Sequence, residues 1–318
     1  MTATAPGKLI LTGEYAVLDG APALVIAVDR RVVAYARGPV PAGSSPFLVA
    51  VADELAARRG KDDPSVAAAT KIAVDSSAFY DGTQKLGLGS SAAVTVATTA
   101  LALADAGTFD VREVLEIASA AHAAAQGLRG ARGSGADIAA AVHGGTIVFA
   151  GGQITRGAWP ASVLLLPFFT GVSADTATLV AAVAAARAEH PVEVEAALRA
   201  VTEASRAACA AIVARAHLAG TGVALLAALR LAAVATDRLA LATGVALVPG
   251  CVTAARSAMA AFGGTAKTTG AGGGDIGIAV IPSTADVTGA ARALIQCGCQ
   301  PLRLSVDEAG VDLRPAAS

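Results

Sequence analysis

Leu86-Gly87-Leu88-Gly89-Ser90-Ser91-Ala92-Ala93, read LGLGSSAA, is the stretch that decides the architecture of this chain. Gly87 and Gly89 reach backbone angles closed to other residues and let a bulky anion approach the main chain, while Ser90 and Ser91 stand where a helix N-cap stands. Residues 92–106 are almost entirely Ala, Val, Thr and Leu, which predicts a buried helix. A glycine loop that opens a helix turns unpaired N–H groups and the positive end of the macrodipole toward one point, so it forms a phosphate site. No Lys-Ser or Lys-Thr follows the last glycine, so this is not a Walker loop.

Around that loop the composition narrows the function. At 318 residues the chain can bury a sizeable core and suggests two domains. A formal net charge of -1 with 15% charged residues gives no footprint for nucleic acid or an anionic membrane, and 3% aromatics removes base-stacking platforms. Mean hydropathy is +0.60, yet Asp105, Pro167, Arg230 and Asp237 interrupt the apolar runs, and much of the hydropathy is alanine. No leader pattern is read in the first residues, so a cytoplasmic location is expected. Cys209, Cys251, Cys297 and Cys299 read as small apolar residues of a reduced protein, because no histidine completes a metal site beside the close pair.

The N-terminal half reads as a short extended lead, a Pro6-Gly7 turn and a strand at 8–12 (KLILT). Strands at 23–28 and 32–37 follow, with Asp29-Arg30 in a turn between them, then a Pro/Gly/Ser loop at 38–46. Helical spacing at 47–59, a strand at 71–76, the glycine loop with its helix, and a second helix at 111–126 come next. Four glycines at 127–135 stop that helix beside Arg129 and Arg132, and Asp137 stands on the first turn of another that ends at Gly144-Gly145. A strand at 146–150 leads to 151–157, the expected linker between domains 1–154 and 155–318. The second half reads as a strand at 162–166 and helices at 176–190, 192–219, 223–243 and 251–262. The glycine run 270–274, a strand at 276–281, a helix at 284–296 and a last strand at 302–307 complete an α+β pair of domains.

Four features point to one site: Lys8 beside a glycine, the GLGSSAA loop, the arginine-rich GARGSGAD segment, and TTGAGGGD at 268–275. Together they describe a pocket for a polyphosphate and a second anion, with one carboxylate and one ammonium at the reacting centre. Each residue also has a plainer reading. Asp137 would complement a helix dipole, Lys8 would be a strand-edge lysine, Lys85 a solvated one, and the arginines part of a solvated loop. His122 reads as a helix residue packing near the cleft, and His143, His190 and His217 as structural or exposed.

In this order and across nearly the whole chain, Pro6-Gly7-Lys8, GLGSSAA and KTTGAGGGD resemble the three signature motifs of the GHMP kinase superfamily. GEYAVLDG at 13–20, HAAAQG at 122–127 and TGVSADTATLV at 170–180 resemble the phosphomevalonate kinases of the bacterial and fungal type. The resemblance implies a two-domain fold, with a left-handed βαβ unit in an N-terminal α+β domain and a ferredoxin-like C-terminal domain. ATP and substrate would bind in the cleft between them. It implies Lys8 and Asp137 as catalytic residues, and Lys85, Gly87, Leu88, Gly89, Ser90, Ser91 and Ala92 as ATP-binding, with Ser91 on Mg²⁺. Lys8, Tyr15, Arg132, Ser134, Ser173, Ala271, Gly272 and Gly273 would hold a phosphorylated acceptor, with the amides of 270–274 completing its pocket. The arginines favour an acceptor that already bears a phosphate, since a guanidinium offers a bidentate fork to one. The implied activity is ATP-dependent phosphorylation of 5-phosphomevalonate by a monomer or homodimer. A mevalonate kinase, a related decarboxylase, and a non-catalytic sensor of ATP and a metabolite remain alternatives. Departures from the motifs are Gln84-Lys85 where a proline often opens the second motif, and Asp175 where a serine is common.

Overall fold

The computed structural model describes residues 1–36, 45–128, 130, 133–213 and 220–315. β1 (Thr2–Thr12) and β2 (Ala23–Ala36) form a long antiparallel pair joined through a 3-10 turn at Ala16–Asp19. The expected turns at Pro6-Gly7 and Asp29-Arg30 are instead a single β-bulge, where the register moves from Pro6 opposite Arg31 to Gly7 opposite Val28. The cause is tertiary. The Asp29 carboxylate accepts from the amide and the hydroxyl of Ser305 at 3.0 and 2.5 Å, so the polar residue finds its partners without the strand being broken. Gly7 lies under the glycine loop. A Cβ there would come within 2.9 Å of the Leu88 carbonyl oxygen, and its absence lets the Lys8 amide donate to that oxygen at 2.9 Å.

α1 (Pro46–Arg59) is followed by α2 (Pro64–Ala69), an unexpected helix that Asp63 caps by accepting from the Ser65 amide at 2.9 Å. β3 (Ile72–Asp75) and the small hairpin of β4 (Tyr80–Asp81) and β5 (Gln84–Lys85) lead into α3 (Ser90–Asp105). α3 is buried on nearly every side, with Val96, Leu101 and Leu103 fully enclosed. Burial of each such side chain contributes about 1.5–3 kcal/mol, and the intervening alanines and threonines let its neighbours pack close. α4 (Val111–Gly127) and α5 (Ala136–His143) complete this layer. β6 (Thr146–Ala150) and β7 (Gln153–Gly157) then form a hairpin. The expected linker is therefore a turn at Gly151-Gly152 followed by a paired strand, and residue 154 falls inside β7.

β8 (Val163–Phe169) runs through Pro167 rather than ending before it. The Pro167 carbonyl accepts from Leu302 N at 2.8 Å, so its nitrogen faces the side of a two-residue edge strand, where little ladder is lost. α6 (Thr176–Glu189), α7 (Pro191–Val213), α8 (Thr221–Thr243) and α9 (Gly250–Ala260) precede β9 (Thr265–Thr268) and β10 (Ile276–Pro282). α10 (Val287–Gln296), β11 (Gln300–Pro301) and β12 (Asp312–Arg314) follow. One sheet has the order β12-β1-β2-β6-β7 with β3 also on β2, and a second has the order β11-β8-β10-β9. All pairings among the described strands are antiparallel. β3 and β6 run in the same direction along one side of β2, and α3, α4 and α5 lie between them in the chain.

Residues 302–307, expected as a strand, form no ladder: their strand-like pairing is the isolated bridge of Val306 with Val28 and its flanking bonds, beside the bond of Leu302 N to Pro167 O. The bulge in β2 offers only a short run of free backbone groups there. Ser205 on α7 bonds Thr12 Oγ1 at 2.8 Å and the Pro22 carbonyl at 2.6 Å, tying the second half to the loop after β1. Cys209 and Cys299 are buried thiols, pushed up by burial to about 11 and about 12. No helix among the described residues is long and apolar enough to cross a membrane.

Candidate active site

The glycine loop leaves the β4–β5 hairpin with the Leu86 amide bonded to the Phe79 carbonyl at 3.0 Å. Gly87 and Gly89 take φ of 71° and 78°, a region that costs a residue with a Cβ. Space also demands glycine here. A Cβ on Gly87 would stand 2.5 Å from Asp275 Oδ2, and one on Gly89 would stand 2.7 Å from Lys8 Cε. The side chains of Asp275 and Lys8 thus lie directly against the loop, and Ser90 begins α3 with its first amides free for an anion.

Around this loop is a cleft of about 430 Å³. It collects Lys8, Tyr15, Lys85, Gly87, Gly89, Ser90, Ser91, Ser134, Asp137, Ser173 and Ala271, as the sequence motifs require. Leu88 and Ala92 are fully buried and pack into the core instead of lining it. Gly272 and Gly273 also face away: a Cβ on the first would meet the Leu247 carbonyl at 2.5 Å, and on the second Leu179 Cδ1 at 2.7 Å. The glycine run is not an anion cradle at these positions, because the amides are already bonded. Gly270 N donates to Ile10 O at 3.0 Å, Gly272 N to Thr269 O at 3.2 Å and Gly273 N to Leu247 O at 2.7 Å. Arg129, Arg132 and His217 lie outside the described residues.

Asp137 sits in the first turn of α5, entered through Gly135 at φ 86°, and its Oδ1 accepts from the Ile138 amide at 3.0 Å. Behind it is His122 of α4, 3% exposed, which does more than pack. Its Nε2 lies 3.1 Å from Ser91 Oγ and 3.9 Å from Asp137 Oδ2, and its ring stacks on Phe47 with centroids 5.1 Å apart. Nothing in the HAAAQG spacing points to a partner 31 residues upstream.

Two ammoniums and two carboxylates interact across the cleft. Burial holds the Lys8 pKa below the ordinary lysine value, with Asp137 and Asp275 opposing that shift and Lys85 adding to it. Burial likewise raises Asp275, offset by the Ala174 amide, which donates to Oδ1 at 3.3 Å, and by Lys8 and Lys85. Asp275 is a site residue that the motif reading passed over. The visible signal is that it closes the GAGGGD run, and it is one of two non-glycine residues at positive φ among those described, at 50°. Its own amide donates to Val172 O at 2.6 Å and its carbonyl accepts from Thr170 N at 2.9 Å, which keeps it in that conformation. Asp175, where a serine is common, caps α6 by accepting from Ala177 N and Thr178 Oγ1, each at 3.0 Å.

The floor of the cleft holds an ion pair between Glu14 and Lys267, each side chain 1% exposed. Lys267 Nζ donates to Glu14 Oε1, to Leu11 O at 2.8 Å and to Thr268 O at 2.6 Å, which uses all three of its hydrogens. Tyr15 follows at φ 57° and donates its hydroxyl to Ala271 O at 2.6 Å, and burial raises its pKa further above the phenol range. These contacts bind the loop after β1 to the strand β9 and the glycine run.

The model of the GHMP kinases N terminal domain matches residues 46–145. The phosphomevalonate kinase of Streptomyces sp. (strain CL190) is 29% identical over 368 residues, covering 95% of this chain and 96% of that protein. Among solved structures, a Listeria innocua protein superimposes with TM-score 0.82 at 19% identity over 98% of this chain and 99% of that one. Streptococcus pneumoniae phosphomevalonate kinase in complex with phosphomevalonate and AMPPNP gives TM-score 0.77 at 18% identity, covering 96% and 99%. L. major mevalonate kinase in complex with R-mevalonate gives 0.67 at 19%, covering 100% and 97%. A glycine loop opening α3, an ammonium and a carboxylate facing it, the GHMP kinases N terminal domain over residues 46–145 and the full-length similarity to a phosphomevalonate kinase identify the chain as an ATP-dependent kinase that resembles the GHMP kinases.

Proposed function

We propose that this chain is a phosphomevalonate kinase, which moves the γ-phosphoryl group of ATP onto the phosphate of 5-phosphomevalonate. The observation that carries the reading is the full-length similarity to the Streptomyces phosphomevalonate kinase, on a cleft lined by both Lys8 and Lys85. Two ammoniums beside one anion site fit an acceptor that brings its own phosphate. The halves 1–154 and 155–318 would form the two walls.

In this reading the amides of Gly89, Ser90 and Ser91 and the positive end of α3 hold the nucleotide phosphates. Lys8, fixed by the Leu88 carbonyl and the surface of Gly89, stabilises charge on the transferring group. The acceptor oxygen belongs to a phosphate already ionised near neutral pH, so little base catalysis is needed. Asp137 then serves to hold Lys8 charged and to orient the acceptor. The donors available for Mg²⁺ are hard oxygens, the Ser91 hydroxyl and the carboxylates of Asp137 and Asp275, which suit that ion. No group of three or more His, Cys, Asp or Glu side chains that could hold a metal occurs among the described residues. Bound Mg²⁺ would neutralise nucleotide charge. The test is to incubate the purified protein with ATP and Mg²⁺ and, separately, mevalonate, its monophosphate and its diphosphate, following ADP and carbon dioxide. ADP release with the monophosphate alone is expected; turnover on mevalonate without turnover on the monophosphate overturns the reading.

A further inference from the structure

His122 lies outside the cleft lining yet touches two of its polar members, and we propose that it is a positioning residue that sets the Ser91 hydroxyl and links it to Asp137. This deepens the phosphoryl-transfer reading of the same cleft and rests on it. The geometry allows one ring nitrogen to serve both neighbours: Nε2 is 3.1 Å from Ser91 Oγ and 3.9 Å from Asp137 Oδ2. A lone pair on Nε2, in a ring only 3% exposed, would face the Asp137 carboxylate, whereas an Nε2–H bond would face it favourably. The proton therefore sits on Nε2, and the ring donates to Ser91 Oγ.

That donation has a consequence for Ser91. A serine hydroxyl carries one hydrogen and two lone pairs, and its rotor is otherwise free. With one lone pair occupied by His122, the remaining lone pair and the O–H are turned to the cleft, as a phosphate-and-cation site needs. The ring itself cannot swing, because it is 3% exposed and stacks on Phe47 at an interplanar angle of 26°. Through α4, the start of α3 and the start of α5 are thus held in one register by a single side chain. A misplacement of about 1 Å at such a group lowers a rate by roughly 100-fold.

Nitrogen-15 NMR of histidine-labelled protein reads the tautomer directly, and with only four histidines the His122→Phe spectrum assigns the signal. Protonated Nε2 is expected, with the His122 signal moved by Ser91→Ala and by Asp137→Asn while the other histidines stay in place. A proton on Nδ1 alone, or a His122 signal indifferent to Ser91→Ala, overturns the proposal. The kinetic arm uses His122→Phe, which keeps the stack on Phe47 and loses the donor. It should lower kcat by roughly 10–100-fold with melting little changed, and by less than about 3-fold in a Ser91→Ala background, because groups acting as one unit are not additive. His122→Gln, which retains a donor, should recover part of the loss. An equal loss in both backgrounds marks a merely structural histidine and refutes the role. If neither the monophosphate nor mevalonate is turned over, the phosphomevalonate kinase reading fails while the NMR arm still decides the tautomer and its link to Ser91.

Discussion

Removing the Lys267 ammonium tests how the two halves are joined. Lys267→Met leaves the Glu14 carboxylate, 1% exposed, without its only described cation, and deprives Leu11 O and Thr268 O of a donor. Breaking a buried pair from one side costs about 3–5 kcal/mol. At about 2 °C per kcal/mol for a chain of this size, the melting midpoint should fall by roughly 6–10 °C. The double variant Glu14→Leu/Lys267→Met replaces both charges by apolar groups of similar volume, and such replacements are often no less stable than the pair. It should therefore recover at least about 2 kcal/mol over Lys267→Met. Thermal and guanidinium unfolding followed by circular dichroism at pH 7 measures both. A Lys267→Met protein within about 1 kcal/mol of the parent, or a double variant no more stable than the single one, would refute the reasoning.

Three further outcomes follow from the cleft. Because burial raises the Asp275 pKa in the folded state, its ionised form opposes folding above that pKa, and the penalty disappears as pH falls below the unfolded value of about 4. Asp275→Asn should accordingly melt above the parent at pH 7–8 with the difference closing in acid; a pH-independent difference contradicts this. Lys8 releases its proton below the ordinary lysine value of about 10.4, so kcat/KM should decline on an alkaline limb below that pH, and Lys8→Arg should abolish the limb. Gly87→Ala forces a Cβ to within 2.5 Å of Asp275 at φ 71°. It should lose about 1–3 kcal/mol of stability and raise the KM for ATP, with Gly87→Ala/Asp275→Ala recovering part of both; additive losses would show that the two residues do not collide.

What the sequence determined by itself is local. The buried alanine-rich helix, its glycine entry, the acidic first turn of α5 and most helix limits are written in residues close enough to share backbone bonds, and they appear within a residue or two of expectation. The motif order also pointed to a resemblance to the GHMP kinases, and Lys8, Lys85, Ser91 and Asp137 line one cleft. The tertiary structure decided where hydrogen-bonding groups are used. It turned Pro6-Gly7 into a bulge because Ser305 bonds Asp29, and it made the amides of Gly270, Gly272 and Gly273 structural because Ile10, Thr269 and Leu247 accept from them. It set Asp275 against Gly87, His122 against Ser91 and Lys267 against Glu14. Such pairs join residues far apart in the chain, up to 253 positions for Lys267 and Glu14. No periodicity or motif spacing encodes them, since only the packing of the two sheets and their helices settles which charges share a water-poor space.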